Sequence, residues 1–201
     1  AQTGARLITP DRSELEILEK PGLRGSRFRY RGQEYRLNLG GAYQVTNALT
    51  AIEALTCAGV TPAHIAMGIE RARIPARMEL LPGDILLDGG HNPQAARAVR
   101  SALEDSGYER RTAFIGMMNT KDHRAFLQEI LPCFDRVYFC DGFSEGEVPA
   151  EELRRISGLD GAEIFHSPRE ALKFARRDHE GGLMYFGGSF YFAAAVREYL
   201  V

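Results

Sequence analysis

From residue 75 to the end, the chain alternates between short apolar runs and helical-period segments. No other feature constrains the fold as strongly. Strand-like runs fall at 85–88, 112–117, 136–141, 163–166 and 183–186, with helical runs at 93–105, 122–131, 149–156, 168–178 and 190–200. Apolar β-runs separated by amphipathic helices imply parallel pairing, because parallel neighbours need a long crossover and a helix supplies it. The expectation for 75–201 is a Rossmann-like, doubly wound, mainly parallel α/β sheet covered by helices. Ser167-Pro168-Arg169-Glu170 reads as a capping box with proline at the first helical position. The Gly- and Glu-rich segment 141–148 reads as a mobile loop.

Residues 1–74 follow another pattern. Segments 27–31 and 34–39 alternate with period two around a Gly32-Gln33 turn, as a half-exposed hairpin should. Arg27, Arg29 and Arg31 share one face, and Phe28 and Tyr30 the other, so the arginines read as a solvated strand face rather than a nucleic-acid surface. Gly40-Gly41 ends the strand, 42–58 is helical up to Gly59, and Thr61-Pro62 reads as the cap and first turn of a second helix. This is a small α+β segment ahead of the alternating one.

Composition limits the function classes. With 201 residues, 44% hydrophobic and 26% charged, the chain can bury a sizeable core. A net charge of −2 argues against a polyanion-binding protein. No run approaches the roughly 18 apolar residues of a membrane helix, and no secretory leader opens the chain. Cys57, Cys133 and Cys140 form no C-x-x-C pair, which points to a reduced, cytoplasmic setting. The chain starts at Ala1, consistent with processing, cloning or excision from a longer protein.

In an open α/β sheet, ligands gather beyond the carboxyl ends of the strands. Those ends read Asp88-Gly89-Gly90-His91-Asn92-Pro93, Gly116-Met117-Met118-Asn119-Thr120-Lys121-Asp122 and Gly187-Gly188-Ser189. Glycine turns entering helices favour anions. Asn92 can cap the helix that Pro93 begins, but a cap explains neither Asp88 nor His91. Asp88 suits a ribose hydroxyl or a metal, and His91 a phosphate or the orientation of that carboxylate. Lys121 stands where the helix dipole disfavours it, which tilts it toward an anionic ligand. Ser189 is either a cap or an anion contact. The chain carries no phosphate loop, no G-x-G-x-x-G after a strand, no H-E-x-x-H and no G-x-S-x-G, so a dehydrogenase, a dedicated zinc site and an esterase-type serine are disfavoured.

Five motifs in fixed order carry a resemblance. Gly41-Ala42-Tyr43-Gln44-Val45-Thr46-Asn47-Ala48, Pro75-Ala76-Arg77-Met78-Glu79, Asp88-Gly89-Gly90-His91-Asn92-Pro93, Gly116-Met117 with Lys121-Asp122, and Gly188-Ser189-Phe190-Tyr191 together resemble the carboxyl-terminal portion of bacterial folylpolyglutamate synthase/dihydrofolate synthase, of the Mur ligase superfamily. The resemblance implies that 1–74 is the tail of an upstream P-loop ATPase domain and 75–201 the second, Rossmann-like domain. It implies an ATP-dependent ligase that adds L-glutamate to folate or dihydropteroate through an acyl phosphate, with the phosphate loop and magnesium ligands upstream of Ala1. This piece alone would then be inactive, and a monomer is expected. By motif, Asn47, Arg77 and Asp88 become ATP contacts, His91 a supporting residue, and Lys121 and Ser189 contacts for glutamate or the acyl phosphate. Catalytic roles fall to Asp88, His91 and Lys121, with no metal ligand in this chain. Tyr43 stands where the family often has histidine, and Gly90 where it usually has alanine. Two rivals remain: a Mur-type ligase acting on a cell-wall precursor, and a non-catalytic Rossmann-like binding module.

Overall fold

The computed structural model describes residues 4, 7–104, 106–178 and 181–201. The expected helix end at Asp105 and parts of the start of segment 1–74 lie outside the described residues. The chain divides into two compact units, Ala1–Arg73 and Ile74–Val201.

The first unit holds an antiparallel sheet of β1 (Leu15–Gly22), β2 (Gly25–Tyr30) and β3 (Gln33–Leu37), followed by α1 (Tyr43–Cys57) and α2 (Pro62–Arg71). Phe28 and Tyr30 point inward and are fully buried against Tyr35, Leu37, Val45, Leu49 and Ile52. On the outer face Arg27 pairs with Glu19 and Glu34, Arg29 with Glu16 and Glu34, and Arg31 with Glu14. Each exposed pair contributes little stability, but together they neutralise the arginine stripe. The Tyr30 hydroxyl donates to the carboxylate of Glu53, which is buried and needs that partner. Thr61 occupies the N-cap of α2 without a side-chain cap bond; its hydroxyl meets His64 Nδ1 at 2.7 Å instead.

The second unit is a six-stranded sheet in the order β4-β5-β9-β6-β7-β8. Its strands are β4 (Glu79–Leu81), β5 (Ile85–Asp88), β6 (Arg111–Ile115), β7 (Arg136–Cys140), β8 (Ile164–Phe165) and β9 (Leu183–Gly187). Between and after them run α3 (Pro93–Glu104), α4 (His123–Ile130), α5 (Ala150–Ser157), α6 (Pro168–Arg177) and α7 (Phe190–Arg197). All pairings are parallel except β4 on β5. The fold is therefore α/β, with a mostly parallel sheet flanked by helices.

Helices α3, α4 and α5 pack in succession, whereas α6 packs with α7. Ile85, Leu87, Phe114, Met184 and Phe186 face α6 and α7 in one core. Strand alternation sends Leu86, Tyr185 and Ile115, equally buried, to the other face. Strand β9 is thus flanked by β5 and β6, whose following helices lie on one face, while its own helix α7 lies on the other. Such a reversal opens a crevice at the carboxyl ends of the strands.

Two expectations need correction. The Ser167 hydroxyl makes no cap bond at the start of α6, so the capping box is not formed. Segment 141–148 is held in place: the Glu147 carboxylate accepts the amides of Gly142, Phe143 and Ser144, and Val148 N donates to Met117 O at 2.8 Å.

Candidate active site

The carboxyl ends of β5, β6 and β9 carry most of the residues singled out in the sequence. Asp88 ends β5, opposite Gly187 of β9, and Gly187 in turn pairs with Ile115 at the end of β6. Asp88 is only 3% exposed. Its Oδ2 accepts the amide of Met78 at 3.0 Å and its Oδ1 that of Gly90 at 2.9 Å. Burial pushes this carboxyl above the usual range, while the two amides and the charges of Arg77 and His91 pull it back down.

The Met78 bond is one of several that fasten the turn carrying Arg77. Ala76 and Met78 both adopt left-handed backbone, with φ of 52° and 46°. Neither is glycine, so each costs about 1–3 kcal/mol and persists only where its surroundings over-determine it. Here Ala76 N donates to Glu79 Oε2 at 2.9 Å, Gly89 N donates to Ala76 O at 2.7 Å, and Met78 N is held by Asp88. Ala76 and Met78 are buried, and the half-buried Arg77 between them is presented at the surface. Its guanidinium lies over the ring of Phe190, 4.8 Å from the centroid. A cation on an aromatic face keeps its charge and is restrained in orientation.

Glycines make this approach feasible. A Cβ on Gly89 would overlap the Phe190 ring, and one on Gly90 would press on Asp88 Oδ1 and, at 2.7 Å, on Ala95 Cβ. Gly188 has φ +94°, and a Cβ there would stand 3.0 Å from Gly116 O. Ser189 is the N-cap of α7, its hydroxyl accepting Tyr191 N at 3.2 Å. Asn92 caps α3 through Ala95 N at 2.9 Å, and Asp122 caps α4 through Ala125 N at 3.1 Å.

Arg77, Asp88, His91 and Ser189 therefore cluster around one pair of turns. His91 is half-buried, its Nδ1 3.1 Å from Gly89 O. Lys121 lies in the turn between β6 and α4, half-buried. Asn47 belongs to the first unit, exposed on α1, with its Nδ2 donating to Gln44 Oε1 at 2.9 Å. Sequence reasoning did not single out Phe190 as a platform. Only its place in the Gly188-Ser189-Phe190-Tyr191 motif hinted at it.

A second cluster stands at the ends of β7 and β8, where Asp141, Glu151 and His166 bring ligand-type atoms within 4.8 Å of one another. Asp141 is already paired through both oxygens, whereas Glu151 Oε1 stands 3.7 Å from His166 Nε2. Asp141 Oδ1 holds His166 Nδ1 at 2.8 Å, and Asp141 Oδ2 accepts Ala150 N at 2.8 Å. It reads as a strand-to-strand tie. Cys57, Cys133 and Cys140 are free thiols. No helix among the described residues is long and apolar enough to cross a membrane.

Residues 76–190, more than half of the chain, match the family described as Mur ligase, glutamate ligase domain. The chain belongs to the Mur ligase family. This Mur ligase chain is 28% identical, over all of its own length and 50% of the relative's, to folylpolyglutamate synthase of Lacticaseibacillus casei. A structure of E. coli FolC in complex with DHPP and ADP superposes with a TM-score of 0.76 at 26% identity, over 93% of this chain and 46% of that one. The Mycobacterium tuberculosis folylpolyglutamate synthase complexed with ADP and AMPPCP shares the fold, with a TM-score of 0.79 at 23% identity over 93% of this chain and 48% of that one. The chain spans about half the length of these relatives.

Proposed function

We propose that this chain is the carboxyl-terminal part of an ATP-dependent ligase that joins L-glutamate to a folate, or to dihydropteroate, through an acyl phosphate. The observation that carries the reading is Arg77, a cation clamped by two buried left-handed residues and laid on Phe190 at the switch point of a Mur ligase domain. The similarity to a folylpolyglutamate synthase, over all of this chain and half of that relative, supports the folate substrate.

In this reading the γ-phosphoryl group passes to an oxygen of the folate-side carboxylate and ADP leaves. The amine of glutamate then attacks the acyl carbon, loses a proton, and inorganic phosphate departs as the amide forms. Reactions of this kind depend on positioning and charge neutralisation. Arg77 is assigned to the nucleotide phosphates and Asn47 to the adenine edge. Asp88 is assigned to the nucleotide ribose, and its two oxygens, each accepting one backbone amide, also fix the Arg77 turn. The turn that opens α7 at Ser189, together with His91 and Lys121, faces the incoming glutamate or the acyl phosphate, where a helix N-terminus favours negative charge. Magnesium ligands and the triphosphate cradle are assigned to a preceding ATPase domain, of which the first unit is the tail. Monomeric behaviour and a cytoplasmic location belong to the same proposal.

The test is ADP formation by the complete protein with L-glutamate and either dihydropteroate or a reduced folate, against controls lacking each. ADP release that requires glutamate and a pterin establishes the ligase and names its step. Nucleotide binding without stimulation by either pterin rejects the folate assignment and turns the search to cell-wall precursors.

A further inference from the structure

We infer that Glu79 and Arg197 form a positioning pair that holds Arg77 in its working orientation, an inference that rests on the nucleotide-contact reading of Arg77. The pair joins positions 118 residues apart: Arg197 Nε donates to Glu79 Oε2 at 2.9 Å and to Oε1 at 3.1 Å. Both groups are largely shielded, with side chains 31% and 19% exposed. The contact with Glu79 raises the Arg197 pKa further.

Glu79 does more than meet Arg197. The same Oε2 accepts the amide of Ala76, the first of the two left-handed residues. One carboxylate thus ties the entrance of the strained turn to the carboxyl-terminal helix. Helix α7 is engaged at both ends. Phe190, at its start, lies under the Arg77 guanidinium, and Arg197, about two helical turns later and so on the same face, grips Glu79. The 77–79 segment is laid along one side of α7 and fastened at two points. Asp88 fixes the far residue of the turn, Met78, from the opposite direction. Without Arg197, Glu79 still accepts the Ala76 amide but is no longer anchored to α7, so the carboxylate that holds the entrance of the strained turn is itself free to move.

The pair acts through Arg77, so its removal should loosen the turn and weaken nucleotide binding together. The first readout is hydrogen exchange of the Ala76 and Met78 amides in this chain, wild type against Arg197→Met. We expect faster exchange there with unchanged protection in β6 and β9, and partial restoration in Arg197→Lys. Glu79→Gln, which keeps an acceptor for Ala76 N but removes the charge, is the second variant should Arg197→Met fold poorly.

The second readout is ADP affinity of the complete protein in a cycle with Arg77→Ala. Arg197→Met should weaken ADP by about fivefold or more and add nothing once Arg77 is gone, as expected for coupled sites. Unchanged exchange at Ala76 and Met78 in both variants overturns the inference. So does undiminished ADP affinity in Arg197→Met when Arg77→Ala loses it. If Arg77→Ala itself binds ADP normally, the nucleotide reading of Arg77 falls, and the exchange comparison alone decides whether the pair holds the turn.

Discussion

At the scale of single residues, Gly89 leaves room for the Phe190 ring. Gly89→Ala should cost the chain about 1–3 kcal/mol through overpacking, and in the complete protein it should weaken nucleotide binding as Phe190 moves from under Arg77. Chemical denaturation and ADP titration report the two effects, and an alanine variant with wild-type values in both would mean that the close approach is unimportant. His166 makes a different case. Its hydrogen bond to Asp141 comes first, and their attraction second, in raising its pKa above 6.5. A raised imidazole pKa stabilises the fold fully below the unfolded value, and that support fades as pH climbs through the folded one. Between about pH 6 and pH 8.5 the wild-type melting temperature should therefore fall more than that of His166→Gln. Parallel pH profiles would show that the tie between β7 and β8 carries no charge.

At the scale of elements, helix starts that look alike in sequence behave differently. Ser189 caps α7 with its hydroxyl, whereas Ser167 at α6 does not. Ser189→Ala should cost about 1 kcal/mol and Ser167→Ala less than about 0.5 kcal/mol. Equal costs in urea titrations would contradict the geometry. The contrast shows what sequence can carry. Periodicity located the parallel strands and their helices because each is written locally, and β5 falls on the expected residues. Two antiparallel strands escaped it. Strand β4 is three residues long and exists only because the strained turn delivers it to the edge of β5. Strand β1 carries Pro21 and shows no clean alternation, so only its pairing with β2 reveals it. The site divides the same way. Asp88, His91 and Ser189 lie in glycine turns at strand ends and could be picked out by position. The platform under Arg77 and the grip of Arg197 on Glu79 depend on partners more than a hundred residues away, which no local pattern encodes.

At the scale of the molecule, each unit has its own apolar core. Ile74–Val201 should fold alone, giving a cooperative thermal transition and an α/β circular dichroism spectrum. A non-cooperative melt of this piece would show that the boundary does not separate independent folding units. The parallel order places the last strand in the chain, β9, between the first two parallel strands, β5 and β6. A nascent chain leaving the ribosome consequently holds two unjoined half-sheets, each with an open edge, until Leu183–Gly187 emerges. A premature stop between β8 and β9 would leave those two half-sheets unjoined, because the missing piece is the keystone of the second unit. Such products should be found with chaperones and proteases rather than as partly active protein.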